Sequence, residues 1–314
     1  MAAIESLASK NGLRILASNS AHSDWRQNTD FMGQLKNAKL VIVNGEGTIH
    51  HSLPAGLKLL EIGDFAKKME IPAVLINTGW ENNCEKFNEH LKSFCLVSAR
   101  DSLSQSQIHK AGIACLRVPD LSLYLESPMI EGRRNNIGFT DSVCKSVSIE
   151  IANIQAKLRE VSFPIQYSSE GFQGSWKFFR EYLSKQDLLA PRILASTLDL
   201  RIKQFKNQTR DTRGYLDKMS RFELIVSGRF HACALAILMK TPFITAPTNS
   251  HKIRALVHDA NLCSWRLNMP LNQNNILRAK EIGWEKGEEK SITEYVNYAR
   301  EAADDLFSQI KKLV

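Results

Sequence analysis

Three short runs hold residue types and spacings that could do chemistry. Ser227-Gly228-Arg229-Phe230-His231 sets a guanidinium two residues from an imidazole. The rigid fork of a guanidinium suits a phosphate or carboxylate, and an imidazole exchanges a proton near neutral pH. Together they describe a site that holds an anionic group and moves a proton beside it. Capping or packing at the start of a helix would account for His231 equally well. In Asn44-Gly45-Glu46-Gly47-Thr48-Ile49-His50-His51, two glycines flank a carboxylate. They allow a tight turn and close approach of backbone N–H groups, and they push Glu46 toward whatever is bound. A tight turn with a hydrogen-bonded His50 is the plain alternative. The run has neither the spacing of a dinucleotide fingerprint nor the Gly-Lys-Ser/Thr of a P-loop. In Thr248-Asn249-Ser250-His251-Lys252, a helix N-terminus with Lys252 would attract a phosphate, with Ser250 beside it, although Ser250 serves equally as a cap.

The elements that must position these runs alternate. Leu40-Val41-Ile42-Val43 reads as a buried strand, Ala55 to Met69 as a helix, and Ala73-Val74-Leu75-Ile76 as the next strand. This is the rhythm of βαβ units. Leu59, Ile62, Phe65, Ala66 and Met69 recur at three and four, so that one helix face covers a sheet. Asn77-Thr78-Gly79 and Trp80 follow a strand end and are expected to reach the same crevice as the first loop. Phe94 to Ser98 is a further strand, after which Asp101 or Ser102 caps a short helix containing Ile108. Glu126 to Asn135, with Pro, Gly and charge but no periodicity, reads as a linker before the strand Asn136 to Phe139. Helices are expected around 144–160 and 173–185. Phe222 to Val226, the helix Ala232 to Met239 and the strand Pro242 to Ala246 form a β-turn-α-β unit, in which Gly228 lets the chain bend where the strand ends. Ligands of open α/β sheets bind at such ends, where Arg229 and His231 fall. Ser291-Ile292-Thr293-Glu294 reads as a capping box opening a long amphipathic helix. The expected division is an α/β domain over 1–130, a second over 131–290, and a C-terminal helix over 291–314 packed on the body.

A chain of 314 residues exceeds what one core usually serves, and 43% hydrophobic with 24% charged residues is the balance of a folded protein. The net charge of +8 favours anionic partners. It leaves room for peripheral contact with an anionic membrane surface. No finger spacing, RNP-like pair or basic tail argues for specific nucleic-acid binding. The six cysteines have no Cys-x-x-Cys pair, so no metal site or disulfide framework is suggested. The first residues lack a signal-peptide pattern and no run is apolar enough to span a membrane, so a cytoplasmic location, with at most peripheral attachment at the membrane's inner face, is expected.

The order of motifs resembles the polysaccharide pyruvyl transferase family over about residues 36–265. The resemblance rests on the strand-Asn-Gly-x-Gly loop, Ser98-Ala99-Arg100-Asp101-Ser102, Val118-Pro119-Asp120, Gly228-Arg229-Phe230-His231, the stretch 236–244 ending in Pro-Phe-Ile, and Lys252 ahead of a helix. It implies an α/β fold of two Rossmann-like domains with parallel sheets in a GT-B-like arrangement, the crevice lying between the domains. It also implies transfer of a pyruvyl group from phosphoenolpyruvate, a co-substrate rather than a bound cofactor, to a hydroxyl pair of a surface polysaccharide or its lipid-linked or nucleotide-linked precursor. No metal is implied. The family's basic residues fall on Arg100 and Arg229 and its histidine on His231. On that basis His231 is expected as general acid, and Arg100, Arg229, Lys252 and Ser250 as the phosphate-holding set. Glu46 is expected to orient or deprotonate an acceptor hydroxyl, with Asn44, His50, Asn77 and Trp80 at the acceptor. A GT-B-type glycosyltransferase using a nucleotide-activated sugar, and a non-catalytic glycan-binding family member, are the alternatives. The oligomeric state is left open.

Overall fold

In the computed structural model, the described residues are 1–21, 23–128, 133–163, 212–247 and 251–314. They group into two units: Met1–Glu126 with Ser250–Ala260 and Thr293–Val314, and Ser127–Asn249 with Asn261–Ile292. The stretch around Lys252 therefore belongs with the first unit, although it follows a strand of the second. The helix expected at 173–185 lies outside the described residues, as does Ser250.

The first unit is built on β1 (Val41–Glu46), β2 (Ala73–Thr78), β3 (Leu96–Ala99) and β4 (Leu116–Arg117), parallel and in the order β1-β2-β3-β4. All six residues of β2 are buried, because both faces of the sheet are covered. Ala73 and Leu75 face a core that includes Val43, Leu59, Leu60, Ile62 and Phe87. Val74 and Ile76 face another, formed with Ile4 and Leu7 of α1 (Ala2–Lys10) and with Leu306, Phe307 and Ile310 from the end of the chain. Ahead of β1 runs α2 (Thr29–Leu35), and between the strands run α3 (Pro54–Lys68), α4 (Glu85–Leu91) and α5 (Ser102–Lys110). Pro54 at the first turn of α3 has no N–H to leave unsatisfied there. Within the stripe expected on α3, Leu59, Ile62 and Ala66 are buried, whereas Met69 lies past the helix and is exposed.

The second unit carries a parallel sheet in the order β6-β5-β7-β8, from β5 (Ile137–Ser142), β6 (Val161–Ser162), β7 (Leu224–Gly228) and β8 (Phe243–Thr245). Its described helices are α6 (Lys145–Leu158), α7 (Thr212–Met219), α8 (Phe230–Leu238), α10 (Trp265–Asn268) and α11 (Gln273–Ile282), with α9 (Lys252–Asp259) falling in the first unit. One face packs Ile137, Phe139, Leu224 and Val226 against Ile151, Ile154, Ile276 and Ala279. Arg266 is fully buried and donates to Glu288, to the Phe243 carbonyl and to the Gly283 carbonyl, while its guanidinium stands 4.6 Å from the Trp265 ring centre and 4.5 Å from that of Trp284. Such a charge is tolerable inside because its donors are engaged and two indole rings lie against it.

The last helix, α12, runs Glu288–Lys311, three residues ahead of the expected capping box. Ser291 is therefore inside the helix, and its N–H donates to the Gly287 carbonyl instead of opening a new turn. The stripe Ile292, Val296, Ala299, Ala303, Leu306 and Ile310 is buried as its spacing requires.

Candidate functional site

In the first unit, the C-terminal ends of β1, β2 and β3 bring together residues spread along most of the chain. Arg100 follows β3 and is almost fully buried. Its Nη1 donates to Asp120 Oδ2 at 3.1 Å, and both side chains are 1% exposed. A buried pair of this kind adds little net stability, but it fixes the guanidinium in one orientation. Lys252, in the first turn of α9, donates from Nζ to the Gly47 carbonyl at 3.0 Å. A Cβ placed on Gly47 would stand 3.1 Å from Lys252 Nζ and 3.3 Å from Arg100 Nη2. With no side chain at residue 47, both cations come close beside its Cα, and an anionic oxygen lying between the two would accept from each. Burial, with the Arg100 charge second, lowers the Lys252 pKa to about 8, against the pull of Glu81 and Asp101.

Beneath these cations lies a set of acids gripping His251. His251 Nδ1 is 3.2 Å from Glu81 Oε1 and its Nε2 is 3.6 Å from Asp101 Oδ1, and its backbone N–H donates to Glu81 at 3.1 Å. Asp101 also caps α5, accepting from the Ser104 N–H and hydroxyl at 2.8 Å each. Burial is the largest influence on Asp101 and raises its pKa, but hydrogen bonds from His251 and Ser104 and the Arg100 charge outweigh it and hold the carboxyl low. Asp259, at the end of α9, accepts from the Ser102 N–H at 2.8 Å and from its hydroxyl at 2.5 Å. Both ends of α9 are thus tied to the start of α5, and Lys252 is held by its neighbours as well as by its own bond.

The β1 loop carries a polar chain. Asn44 donates to Glu46 Oε1 at 2.7 Å, Asn77 donates to Asn44 Oδ1 at 3.1 Å, and the Leu121 N–H donates to Asn77 Oδ1 at 3.2 Å. Glu46 and Asn77 take positive φ, 40° and 54°. The Glu46 carbonyl accepts from the Gly79 N–H at 2.6 Å, so the loop turns sharply at the sheet's end. His50 and His51 approach with Nδ1 atoms 3.0 Å apart. Burial, then the charges of Lys252 and His51, push the His50 pKa down, against the pull of Glu81. Trp80 departs from its expected acceptor role: it is 2% exposed and belongs to the core beneath the sheet. The strand end turns its indole inward, and its backbone N–H donates to the Ser104 hydroxyl at 2.8 Å.

In the second unit, Arg229 is the residue before α8 and His231 lies in that helix's first turn, half-buried, with its ring at 5.4 Å from that of Phe230 and nearly perpendicular to it. The Arg229 fork closes on Asp141 of β5, Nε to Oδ1 at 2.9 Å and Nη2 to Oδ2. A bidentate pair neutralises much of the charge expected to hold a phosphate and fixes the fork's direction. Ser227 stitches the turn: its hydroxyl accepts from the Arg229 N–H at 2.9 Å and from Thr140 at 2.7 Å. Gly228 is demanded by close approach, since a Cβ there would lie 2.5 Å from Ser142 Cβ.

Arg100, Lys252, Asn44, Glu46, His50 and Asn77 thus occur in one unit, and Arg229 and His231 in the other. Glu81, His251 and Asp141 were not anticipated as partners. His251 stood beside Lys252 in a run already singled out, and Asp141 lies near the C-terminal end of β5 in the second unit, whereas Arg100 directly follows β3 in the first. Among the described residues no cluster of three or more His, Cys, Asp or Glu side chains is arranged to hold a metal ion, and no helix is long and apolar enough to cross a membrane.

Residues 8–250 match a family model described as Polysaccharide pyruvyl transferase. No curated protein matches the chain. Among solved structures, MnaA of S. aureus in complex with UDP is 10% identical, with 100% of this chain and 87% of that chain covered and a TM-score of 0.59. The UDP-GlcNAc 2-epimerase of Neisseria meningitidis bound to UDP-GlcNAc is 11% identical, with 98% and 88% covered and a TM-score of 0.55. At such identity the likeness is one of fold, an α/β chain with two parallel sheets of the GT-B-like class.

Proposed function

Because the chain belongs to the polysaccharide pyruvyl transferase family, we propose that it transfers a pyruvyl group from phosphoenolpyruvate to two hydroxyls of a sugar in a surface polysaccharide or its precursor. The observation that best supports an anionic donor is the pair Arg100 and Lys252, converging on the space beside Gly47 at the strand ends. On this reading those cations hold a phosphate or carboxylate oxygen. Arg229, whose fork is closed on Asp141, would add to them only by exchanging that carboxylate for the donor.

An enol phosphate becomes electrophilic at its central carbon only when its methylene is protonated, so a general acid is required. His231, part-exposed in the first turn of α8, is assigned that role. A sugar hydroxyl then attacks the oxocarbenium-like carbon and loses its proton, the carbon–oxygen bond to phosphate breaks, and a second hydroxyl closes the ketal. The products are the ketal and inorganic phosphate. On this reading Glu46, which accepts from Asn44, orients or deprotonates a hydroxyl.

The test is phosphate release from phosphoenolpyruvate in the presence of lipid-linked or nucleotide-linked glycans, with the ketal identified by mass. His231→Ala should lower turnover by about 100-fold or more while leaving phosphate affinity intact. Phosphate release at background across the acceptors, or release of a nucleotide from a sugar nucleotide instead, would reject pyruvyl transfer. Glycan binding without any turnover would make the chain a binding member of the family.

A further inference from the structure

A cavity of about 810 Å³ lies wholly within the first unit. Its walls include Val41 and Val43 from one face of β1 and Ile42, Asn44 and Glu46 from the other. A cavity touched by both faces of a strand runs along its edge, and β1 is one of the two edge strands of its sheet among the described residues. The Val41 N–H donates to the Pro72 carbonyl at the start of β2. Since consecutive residues of a strand point their backbone groups to opposite sides, those of Ile42 and Asn44 project into the cavity. The facing wall is the stretch 12–21, where Ile15 and Leu16 are 46% and 40% exposed. At its polar end the cavity reaches Asn44, Glu46 and Thr48, the loop that also carries Gly47.

The lining selects its occupant. An alkyl chain would strip water from the backbone groups of the β1 edge and return no hydrogen bond. A purely ionic ligand would meet Arg14, Lys39 and Lys58 in the lining but would gain nothing from Leu13, Ile15 and Ile42. A chain of pyranose rings carries hydroxyls for the edge and C–H faces for the apolar wall, and the volume lies in the range of ligand sites. We infer that this cavity is a cleft for several sugar units of the acceptor glycan, laid along β1 so that its terminal sugar meets Glu46. The inference rests on the proposed reading that the chain acts on a glycan.

The experiment uses the full chain and follows backbone amide resonances during titration with cellotetraose, maltotetraose and oligosaccharides released from the host's own surface glycan. At least one should move the amides of Ile42 and Asn44 more than those of Val41 and Val43, which point toward β2. Ala17→Trp, which fills the cavity, should weaken that binding by about tenfold or more without altering affinity for inorganic phosphate. Ser18→Arg, an exposed rim substitution, gives the same reading should the first variant not fold. No movement of these amides with any oligosaccharide, or equal binding by the variants, overturns the cleft. Movement by dodecanoate in preference to the sugars overturns it in favour of an apolar ligand. Phosphate release is scored separately, so failure of the reaction with sugar binding intact rejects pyruvyl transfer and keeps the cleft.

Discussion

Replacement of Lys252 by methionine tests the cationic position directly. The ammonium has an ordinary pKa of 10.5 in the unfolded chain and about 8 in the folded one, through burial first and the Arg100 charge second. Across that window the unfolded state binds more protons, so stability rises as pH goes from about 8 to 10.5 and the cost is fully present below 8. At roughly 1.4 kcal/mol per pH unit the cost approaches ~3 kcal/mol, and discounting for the part-exposed side chain leaves ~2 kcal/mol. The bond to the Gly47 carbonyl returns about 1 kcal/mol. Lys252→Met should therefore stabilise the protein by ~1 kcal/mol at pH 7 and lose that advantage above pH ~10.5, while weakening phosphate binding at pH 7. Urea unfolding at both pH values, with calorimetric phosphate titration and a ¹³Cε titration of Lys252, measures each part. A Lys252 midpoint near 10.5, or a methionine variant less stable at pH 7, would refute the reasoning.

The other perturbations are equally direct. Gly47→Ala places a methyl 3.1 Å from Lys252 Nζ and 3.3 Å from Arg100 Nη2; phosphate affinity should fall about tenfold while the melting temperature moves by only a few degrees, because the lysine end can give way. An unchanged phosphate titration would show that the anion sits elsewhere. Gly228→Ala forces a contact of 2.5 Å with Ser142 and should cost about 1–3 kcal/mol, partly restored by Ser142→Gly in the same chain, as read by denaturant midpoints. A neutral single variant, or no rescue, removes the close-approach account. Trp80→Ala should cost about 3–5 kcal/mol as a core truncation, while Trp80→Phe leaves oligosaccharide affinity unchanged in calorimetry. A selective loss of sugar affinity in the phenylalanine variant would return Trp80 to the ligand.

The strands and helices were legible because burial leaves a periodic trace. Val41 to Val43, Ala73 to Ile76 and Leu224 to Val226 are apolar runs of strand length, and each is a strand of a parallel sheet. The stripe of α12 was equally plain, but its start was not. A capping box is a local pattern, and the turn from Glu288, whose carboxylate holds Arg266, overrides it. Arg100 and Lys252 were legible as charges at strand or helix ends, whereas Trp80 was misjudged because its position after a strand says where the backbone goes and not which way the indole turns.

Residue type and spacing by themselves determined the α/β class, the family motifs and which guanidinium, imidazole and ammonium groups stand at element ends, since those follow from the local period and chemistry of the chain. Only the tertiary structure decided that Lys252 joins Arg100 over Gly47, that Glu81 and Asp101 grip His251, and that Asp141 takes the Arg229 fork. These partners lie from 88 to 205 residues apart or on different strands. The pairing of such distant groups depends on sheet order and helix return, which no short stretch of sequence encodes.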